Sequence, residues 1–259
     1  MSSLFAAPPF EGVAVALVTL FQPDGRLDAP ATAAHAARLV DAGVRAVVVA
    51  GSTGEAAALS PDERVDLLDA VRHALPAGVP LVAGTGAPSA YQASRLTADA
   101  VAAGADAVLA LAPPASRDLA GYYKAVAEAA GERPVLAYHY PAVSAPGIPL
   151  AELAALPVHG IKDSAEDPSR LVQELTGYTG WVYTGSAAMA PLVTALGGTG
   201  AILALANAEP ELCVAAFAGD ADAYRRLVPA HLRMRAGLPR AIKEMAAERY
   251  QTSLASRLA

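Results

Sequence analysis

Lys162 is the residue of this chain whose type and position best suit covalent chemistry. It is one of three lysines, with Lys124 and Lys243, in a sequence whose other permanently charged basic residues are arginines. It follows the mainly apolar run 158–161, which is typical of the end of a buried strand. Burial lowers the pKa of an ammonium, and a neutral amine can attack a carbonyl to form a Schiff base, which an arginine cannot do. The alternatives are a lysine that reaches solvent or pairs with Asp163.

Three further side chains at predicted strand ends could act with this amine. Tyr138 could transfer a proton between a substrate hydroxyl and solvent, although an isolated tyrosine at a strand end is more typical of packing. Ser52 and Thr53 lie in the glycine-containing sequence 51–55. Their hydroxyl and backbone N–H groups could hold a carboxylate, because the neighbouring glycines allow close approach. The alternative for 51–55 is an ordinary tight turn.

Short apolar runs alternate with longer amphipathic stretches along almost the whole chain, as strands and helices would. The predicted strands cover residues 13–18, 44–50, 80–83, 107–111, 135–138, 160–162, 181–184 and 200–203. The predicted helices include residues 31–42, 61–75, 89–103 and 119–130. Eight such units predict an α/β fold, a (β/α)8 TIM barrel, in which chemistry lies at the C-terminal ends of the strands.

Helical sequence continues after the last predicted strand, from Glu209 onward. We therefore expect a barrel that carries the Schiff-base lysine over residues 1–208 and a helical segment over 209–259 packed on it, as one domain overall. The alternative is a Rossmann-like sheet, suggested by residues 84–86. That run lacks the third glycine and the acidic residue that a dinucleotide site requires.

Composition restricts the function classes. The 259 residues include 54% hydrophobic and 17% charged residues, and the net charge of −6 without a basic cluster argues against nucleic-acid and anionic-membrane binding. The single Cys213 excludes an intramolecular disulfide and is expected in the core. No stretch of about 20 apolar residues is present, and residues 1–9 do not look like a signal peptide, so we expect a cytoplasmic protein. The scattered histidines predict no metal.

Three motifs, in this order and at these intervals, resemble a known family. They are Gly51-Ser52-Thr53-Gly54-Glu55, Tyr138-His139-Tyr140-Pro141 and Gly160-Ile161-Lys162-Asp163-Ser164. They resemble the pyruvate-dependent class I aldolases of the dihydrodipicolinate synthase and N-acetylneuraminate lyase superfamily, and the similarity extends over residues 12–235.

The resemblance implies roles for particular residues. Lys162 would form an imine with pyruvate or a longer 2-oxo acid, and Tyr138 would transfer the proton. Ser52 and Thr53 would hold the pyruvyl carboxylate, with Ser52 also in the proton relay. We also expect Gly51, Gly185 and Ile202 to contact substrate. The resemblance implies no cofactor and a homo-oligomer, a dimer or tetramer, with contacts near the loops after the third and fourth strands.

Two departures from the family pattern narrow the expected activity. Ala115 occupies the position of a tyrosine that reaches a neighbouring subunit in the lysine-pathway synthases, and Val143 occupies that of an arginine that helps to bind a carboxylated aldehyde. These departures argue against lysine-pathway synthase activity. Residues 138–144, 162–164 and 204–207 resemble instead the aldolases that cleave a 4-hydroxy-2-oxo acid, such as 2-oxo-3-deoxygluconate or 4-hydroxy-2-oxoglutarate, and this resemblance implies such an activity. The alternatives are dihydrodipicolinate synthase activity, dehydration of a sugar acid, and binding of a 2-oxo acid without turnover.

Four predictions concern the surroundings of the site. Ser186 and Leu203 are expected, with Val143, beside the aldehyde part of the substrate. His139 is expected to point away from the cavity. The last is that Arg170 and Glu174, four residues apart, form a solvated pair on a helix.

Overall fold

Eight parallel strands close into a barrel in the computed structural model, which describes residues 7–258. The strands are β1 Gly12–Ala16, β2 Ala46–Val49, β3 Leu81–Gly84, β4 Ala107–Leu111, β5 Val135–His139, β6 Gly160–Asp163, β7 Trp181–Thr184 and β8 Gly200–Leu203. Each pairs with the next along the chain, and β1 pairs with β8. The predicted (β/α)8 TIM barrel is confirmed.

Helices follow the strands and cover the outside of the barrel. They are α1 Ala29–Asp41, α2 Pro61–Ala74, α3 Ala90–Ala102, α4 Leu119–Ala130, α5 Leu150–Leu153, α6 Pro168–Gly177, α7 Ala190–Ala195, α8 Pro210–Phe217, α9 Ala221–Arg235 and α10 Arg240–Tyr250. Local signals set their starts. The Asp28 carboxylate accepts the Ala31 N–H at the start of α1, and Ser60 with Glu63 forms a capping box at the start of α2.

Side chains alternate between the barrel interior and the layer beneath the helices, because successive residues of a strand face opposite sides. The interior holds a small apolar cluster consisting mainly of Ala14, Ala16, Ala46, Val48, Val82, Ala107, Leu109, Leu136, Tyr138, Tyr183 and Ile202. Phe10, just before β1, belongs to the same cluster. The Tyr183 hydroxyl donates to the Phe10 carbonyl at 2.8 Å, which closes the end of the barrel at which the strands begin.

Helices α8 to α10 pack on the barrel, as the sequence predicts. Residues of these helices share one buried cluster with the outward faces of β1, β2, β3 and β8. Cys213 of α8 is buried there. The division at residue 208 stays a prediction, and residues 1–6 and 259 of the predicted segments lie outside the described residues.

Two strands are shorter than predicted, for reasons that involve side chains from elsewhere. β2 ends at Val49 because Ala50 takes a left-handed backbone conformation, with φ of 51°. β1 ends at Ala16, and beyond it the Val18 N–H donates to the Asn207 side chain at 3.0 Å rather than to a neighbouring strand. Among the described helices, none has the length and apolar content of a membrane span.

Candidate active site

Lys162 and Tyr138 lie side by side inside the barrel, at the C-terminal ends of β6 and β5. Their Cα atoms are paired in the strand register. The Lys162 Nζ atom is 4.1 Å from the centre of the Tyr138 ring, and each residue is only 5% exposed. Burial lowers the pKa of Lys162 to about 7, because an ammonium loses its hydration there. A substantial fraction of this amine is therefore neutral near pH 7.

Asp163 does not pair with Lys162, as the alternative interpretation of the sequence supposed. It points to the opposite side of β6, where its carboxylate accepts a hydrogen bond from Arg170 Nε at 2.8 Å. Within residues 7–258, no carboxylate lies within ion-pair distance of Lys162 Nζ. The described part of the chain thus gives the amine no negatively charged partner that would favour its protonated form.

The Tyr138 hydroxyl faces two serine side chains. The Ser164 Oγ atom is 3.5 Å from the phenol oxygen, and the Ser52 side chain is also within hydrogen-bonding reach. Burial raises the pKa of Tyr138 to about 12, although the two serines act in the opposite direction. At neutral pH the phenol is therefore protonated and belongs to a short chain of hydroxyl groups.

Gly185, after β7, makes room for this chain of hydroxyls. A Cβ atom at this position would lie 1.8 Å from Ser164 Oγ and 3.0 Å from Lys162 Cε. Any side chain here would displace one of them. Gly185 therefore lies beside the Lys162 side chain. Its predicted contact with substrate stays a prediction.

The loop 51–55 carries Ser52 and Thr53 at the end of β2. Its backbone hydrogen bonds use the N–H groups of Gly54, Glu55 and Ala56. Among the described residues, the N–H groups of Ser52 and Thr53 donate to no backbone carbonyl. A Cβ at Gly51 would meet no protein atom within 4 Å, so a ligand could approach the backbone there.

The helix that follows this loop, α2, begins at the predicted residue. A three-residue 3-10 helix, Ala56–Ala58, comes first, and α2 begins only at Pro61. The N-terminus of α2 is therefore remote in sequence from Ser52 and Thr53. Anion binding here would depend on their hydroxyl and N–H groups.

A cavity of about 1160 Å³ opens beside this loop. Ser52, Thr53, Tyr140 and Val143 are among the residues that line it. It extends outward between α2 and α3, where its basic residues among those described, Arg64 and Arg95, are located. The Arg64 guanidinium already donates to the carbonyls of Gly84 and Ala56.

The structure separates the other residues expected near the substrate. Ile202 lies inside the barrel in the cluster that contains Tyr138, whereas Leu203 faces the outer layer. The expectation that Leu203 lines the substrate pocket is therefore wrong, because strand alternation turns it outward. Ser186 is 2% exposed, and its hydroxyl has no hydrogen-bond partner among the described residues. Val143 is 57% exposed.

Arg170 and Glu174 form the predicted pair on α6, but the prediction that it is solvated is wrong. The two side chains are 14% and 0% exposed. Arg170 Nε lies 2.9 Å from a Glu174 oxygen but directs its hydrogen bond to Asp163, so that the Glu174 carboxyl accepts none from the described residues. Burial, followed by the Asp163 charge, raises the pKa of Glu174 to about 8.

His139 points away from the cavity, as expected. Its Nδ1 atom accepts the Ile148 N–H at 2.9 Å. Burial lowers the pKa of His139 to about 4, so the ring is neutral at physiological pH and carries its proton on Nε2.

Two groups beside the site were not recognised in the sequence. Ser164 had a signal, because it lies two residues after Lys162 and so faces the same side. The buried ion pair between Glu55 and Lys243 had none, since 188 residues separate its members. Within residues 7–258, no three side chains of His, Cys, Asp or Glu converge as metal ligands would.

Comparisons with known proteins give the relatives of this chain. The sequence pattern of the dihydrodipicolinate synthetase family matches residues 9–240. The 4-hydroxy-tetrahydrodipicolinate synthase of Methylococcus capsulatus is 36% identical over 237 residues, which are 85% of this chain and 81% of that enzyme.

Two solved structures share the fold. YagE, a prophage protein of the dihydrodipicolinic acid synthase family from E. coli K12 solved in complex with pyruvate, has a TM-score of 0.86 at 27% identity, over 95% of this chain and 91% of YagE. The dihydrodipicolinate synthase of Aquifex aeolicus has a TM-score of 0.88 at 26% identity, over 96% of this chain and 91% of that protein.

Proposed function

This chain belongs to the dihydrodipicolinate synthetase family and is a lyase of that family, and we propose that it cleaves a 4-hydroxy-2-oxo acid into pyruvate and an aldehyde through an imine on Lys162. The observation that carries the proposal is the buried Lys162 amine, whose pKa falls to about 7 and which lies beside the Tyr138 ring. The complex of the related YagE with pyruvate supports the substrate class.

The reaction begins at the amine. Neutral Nζ attacks the C2 carbonyl of the 2-oxo acid, and uptake of one proton from solvent with loss of water leaves a protonated imine. Because no carboxylate among the described residues pairs with Lys162, the amine can lose its proton without breaking an ion pair.

Carbon–carbon cleavage follows from the positive charge of the imine. The C4 hydroxyl loses its proton, the C3–C4 electron pair moves into the imine, and an enamine and an aldehyde result. Protonation of C3 and hydrolysis of the imine then release pyruvate and restore the amine. With a pKa of about 12, Tyr138 would not act as a free phenolate. It would take the C4 proton while passing its own to Ser52 or Ser164, both within reach of the phenol.

The carboxylate of the 2-oxo acid would bind to the loop 51–55. Ser52 and Thr53 offer two hydroxyls and two N–H groups that donate to no backbone carbonyl among the described residues. Gly51 leaves space for the carboxylate to approach the backbone, and Gly185 and Ile202 border the amine and the barrel interior.

The cavity favours a neutral aldehyde product. Val143 and Tyr140 line it, and the basic residues lining it within the described chain are on α2 and α3, where Arg64 is already bonded to two carbonyls. The Val143 and Tyr140 side chains carry no positive charge that could pair with a second carboxylate. A substrate of the 2-oxo-3-deoxygluconate type therefore suits the site better than 4-hydroxy-2-oxoglutarate, whose cleavage yields a carboxylated aldehyde.

Synthase activity is the second candidate, because the relative from Methylococcus capsulatus bears the name of 4-hydroxy-tetrahydrodipicolinate synthase. Val143 and Ala115, at the positions of the arginine and tyrosine of such synthases, argue against it. Ala115 is exposed and has a φ of 53°. Its side chain is a methyl group, whereas the synthases have a phenol there that extends to the neighbouring subunit.

The test combines borohydride trapping with product analysis. Reduction in the presence of pyruvate should convert the Lys162 amine into its N-(1-carboxyethyl) derivative, as located by peptide mass spectrometry, and Lys162→Arg should abolish the adduct while the protein stays folded. A panel of 4-hydroxy-2-oxo acids should release pyruvate and an aldehyde. No adduct in the wild type would refute the mechanism. An adduct without turnover would indicate a binding protein, and loss of water without carbon–carbon cleavage would indicate a dehydratase.

We also propose that the enzyme is a cytoplasmic homo-oligomer, a dimer or tetramer. Tyr91 of α3 is 76% exposed and lines the outer part of the cavity, as an interface residue near the loop after β3 would be. A monomeric mass by light scattering would refute the assembly.

A further inference from the structure

Glu55, the last residue of the loop that carries Ser52 and Thr53, is held by a segment from the far end of the chain. Its side chain is 0% exposed. One carboxylate oxygen accepts from Lys243 Nζ, and the other accepts from the Ser256 hydroxyl at 2.9 Å and from the N–H groups of Arg257 and Leu258 at 2.7 and 2.8 Å. We call residues 253–258 the strap. The carboxylate joins the strap, α10 and the loop.

Arg257 attaches the strap a second time, to the residues after the same loop. Its guanidinium donates to both oxygens of Glu63, at 2.8 and 2.6 Å, and to the Ala58 carbonyl at 2.8 Å. It also donates to the Gly25 carbonyl and lies 4.5 Å from the centre of the Phe21 ring. The strap is thus bonded to both sides of the short 3-10 helix that follows the loop.

The loop has a backbone conformation that requires such support. Ala50 and Glu55, which flank residues 51–54, have φ of 51° and 56°. Residues with side chains seldom adopt this left-handed conformation, and it persists where surrounding contacts hold it. Gly54 adds a further constraint, because its carbonyl accepts from the Thr19 hydroxyl at 2.6 Å. If Glu55 were released, the end of the loop next to Thr53 could relax.

The charge of Glu55 depends on the same contacts. Burial raises its pKa, but Lys243, the Leu258 N–H and Ser256 together hold the pKa below its usual range. Burial, with a smaller contribution from the Arg257 charge, lowers the pKa of Lys243, although Glu55 acts in the opposite direction. Without these donors nothing would offset the cost of burying the Glu55 carboxylate. The loop, α10 and the strap are therefore expected to rearrange together.

We propose that Glu55 is a positioning residue through which the strap holds Ser52 and Thr53 in the arrangement that binds the carboxylate of the 2-oxo acid. Leu258 of the strap lines the same cavity as Ser52 and Thr53, so the strap reaches the site itself. The proposal rests on the proposed function for the identity of the ligand, but the effect on the loop is independent of it.

The experiment compares two variants that release the strap with one that does not. Glu55→Gln removes the charge and keeps the shape, and Arg257→Met removes the second attachment. Arg249→Met is the matched control, because Arg249 attaches α10 to the Ala208 carbonyl and to Glu211 without touching the loop. Three quantities are measured on the full chain: amide hydrogen exchange of the peptide 50–58, the pyruvate concentration that half-saturates borohydride trapping, and the trapping rate at saturation.

We expect Glu55→Gln and Arg257→Met to speed exchange of 50–58 by about tenfold, as local release of a structured segment does. The half-saturating pyruvate concentration should rise by about tenfold, in line with lost hydrogen bonds to a charged group. The trapping rate at saturating pyruvate should stay within a factor of about three of the wild-type rate, because Lys162 and Tyr138 are unchanged. Arg249→Met should lower the melting temperature and leave exchange of 50–58 and half-saturation as in the wild type.

Unchanged exchange of 50–58 in Arg257→Met would overturn the proposal, even if Glu55→Gln did not fold. So would an equal rise in half-saturation in Arg249→Met, because that would indicate general destabilisation. If the wild type gave no pyruvate adduct, the proposed function would fail, and the exchange data would still decide whether the strap orders the loop.

Discussion

Replacing Lys162 by methionine should make this protein more stable. A lysine in the unfolded chain has a pKa of 10.5, whereas burial lowers the pKa of Lys162 to about 7 in the folded protein. Each pKa unit corresponds to about 1.4 kcal/mol. At pH 7 the shift therefore destabilises the folded state by about 4 kcal/mol. Methionine has a similar length, carries no charge and packs well against an aromatic ring such as that of Tyr138.

The gain should depend on pH in a defined direction. Between pH 7 and 10.5 the unfolded chain binds more protons at this lysine than the folded protein does, so the wild-type stability rises with pH in that window. The advantage of Lys162→Met should be about 5 kcal/mol at pH 6 and shrink to about 1 to 2 kcal/mol at pH 9.5. At pH 6 the melting temperature should rise on the order of 10 °C.

The same substitution at the other buried lysine should have the opposite effect. Lys243→Met leaves the fully buried Glu55 carboxylate without its cation, which should cost about 3 to 5 kcal/mol. Lys124→Met is the control, because the Lys124 side chain is 72% exposed. Its free energy of unfolding should stay within about 0.5 kcal/mol of the wild-type value. Urea unfolding of the three variants and the wild type at pH 6, 7.5 and 9.5 measures all of these differences. A Lys162→Met variant no more stable than the wild type at pH 6, or a gain that does not shrink with pH, would refute the reasoning.

Three further predictions concern the site and its support. In Tyr138→Phe the imine should still be trapped, while cleavage slows by about 10²- to 10⁴-fold, the usual effect of losing general acid–base catalysis; cleavage at the wild-type rate would return Tyr138 to a packing role. The rate of imine formation, measured by adding borohydride after short incubations with pyruvate, should rise with pH through about 7 and then level off, since the neutral amine of Lys162 is the nucleophile. A flat profile from pH 6 to 8 would contradict this. Glu174→Gln should raise stability at pH 8.5 and leave it almost unchanged at pH 5, because a pKa raised to about 8 makes the folded wild type lose stability as pH rises from 4.5 to 8; denaturant unfolding at both pH values checks it.

Much of the barrel could be read from the sequence because its signals are local. The alternation of β-branched runs with amphipathic stretches sets strand and helix type, and β4, β7 and β8 begin and end at the predicted residues. Strand alternation likewise places Lys162 inside the barrel and His139 outside, since only the register of one strand is involved. The juxtaposition of Lys162 with Tyr138 then follows from the pairing of adjacent parallel strands.

The two errors have different causes, since a contact with another element decides one and the register of a single strand decides the other. Arg170 and Glu174 have the spacing of a solvated pair, but β6 places Asp163 against α6 and buries both side chains. Leu203 follows Ile202 directly, and a shift of one residue turns a strand side chain from the barrel interior to the outer layer.

The sequence by itself therefore determined the fold class and the family and predicted the residues of the amine site, because these depend on periodicity and on motifs that are contiguous in the chain. Only the tertiary structure decided the charge state of those residues and the support of the loop 51–55. The low pKa of Lys162 is a consequence of burial, which no local pattern measures. The contacts of Glu55 with Lys243 and residues 256–258 span about 200 residues of chain, and only folding of the whole barrel brings these groups together.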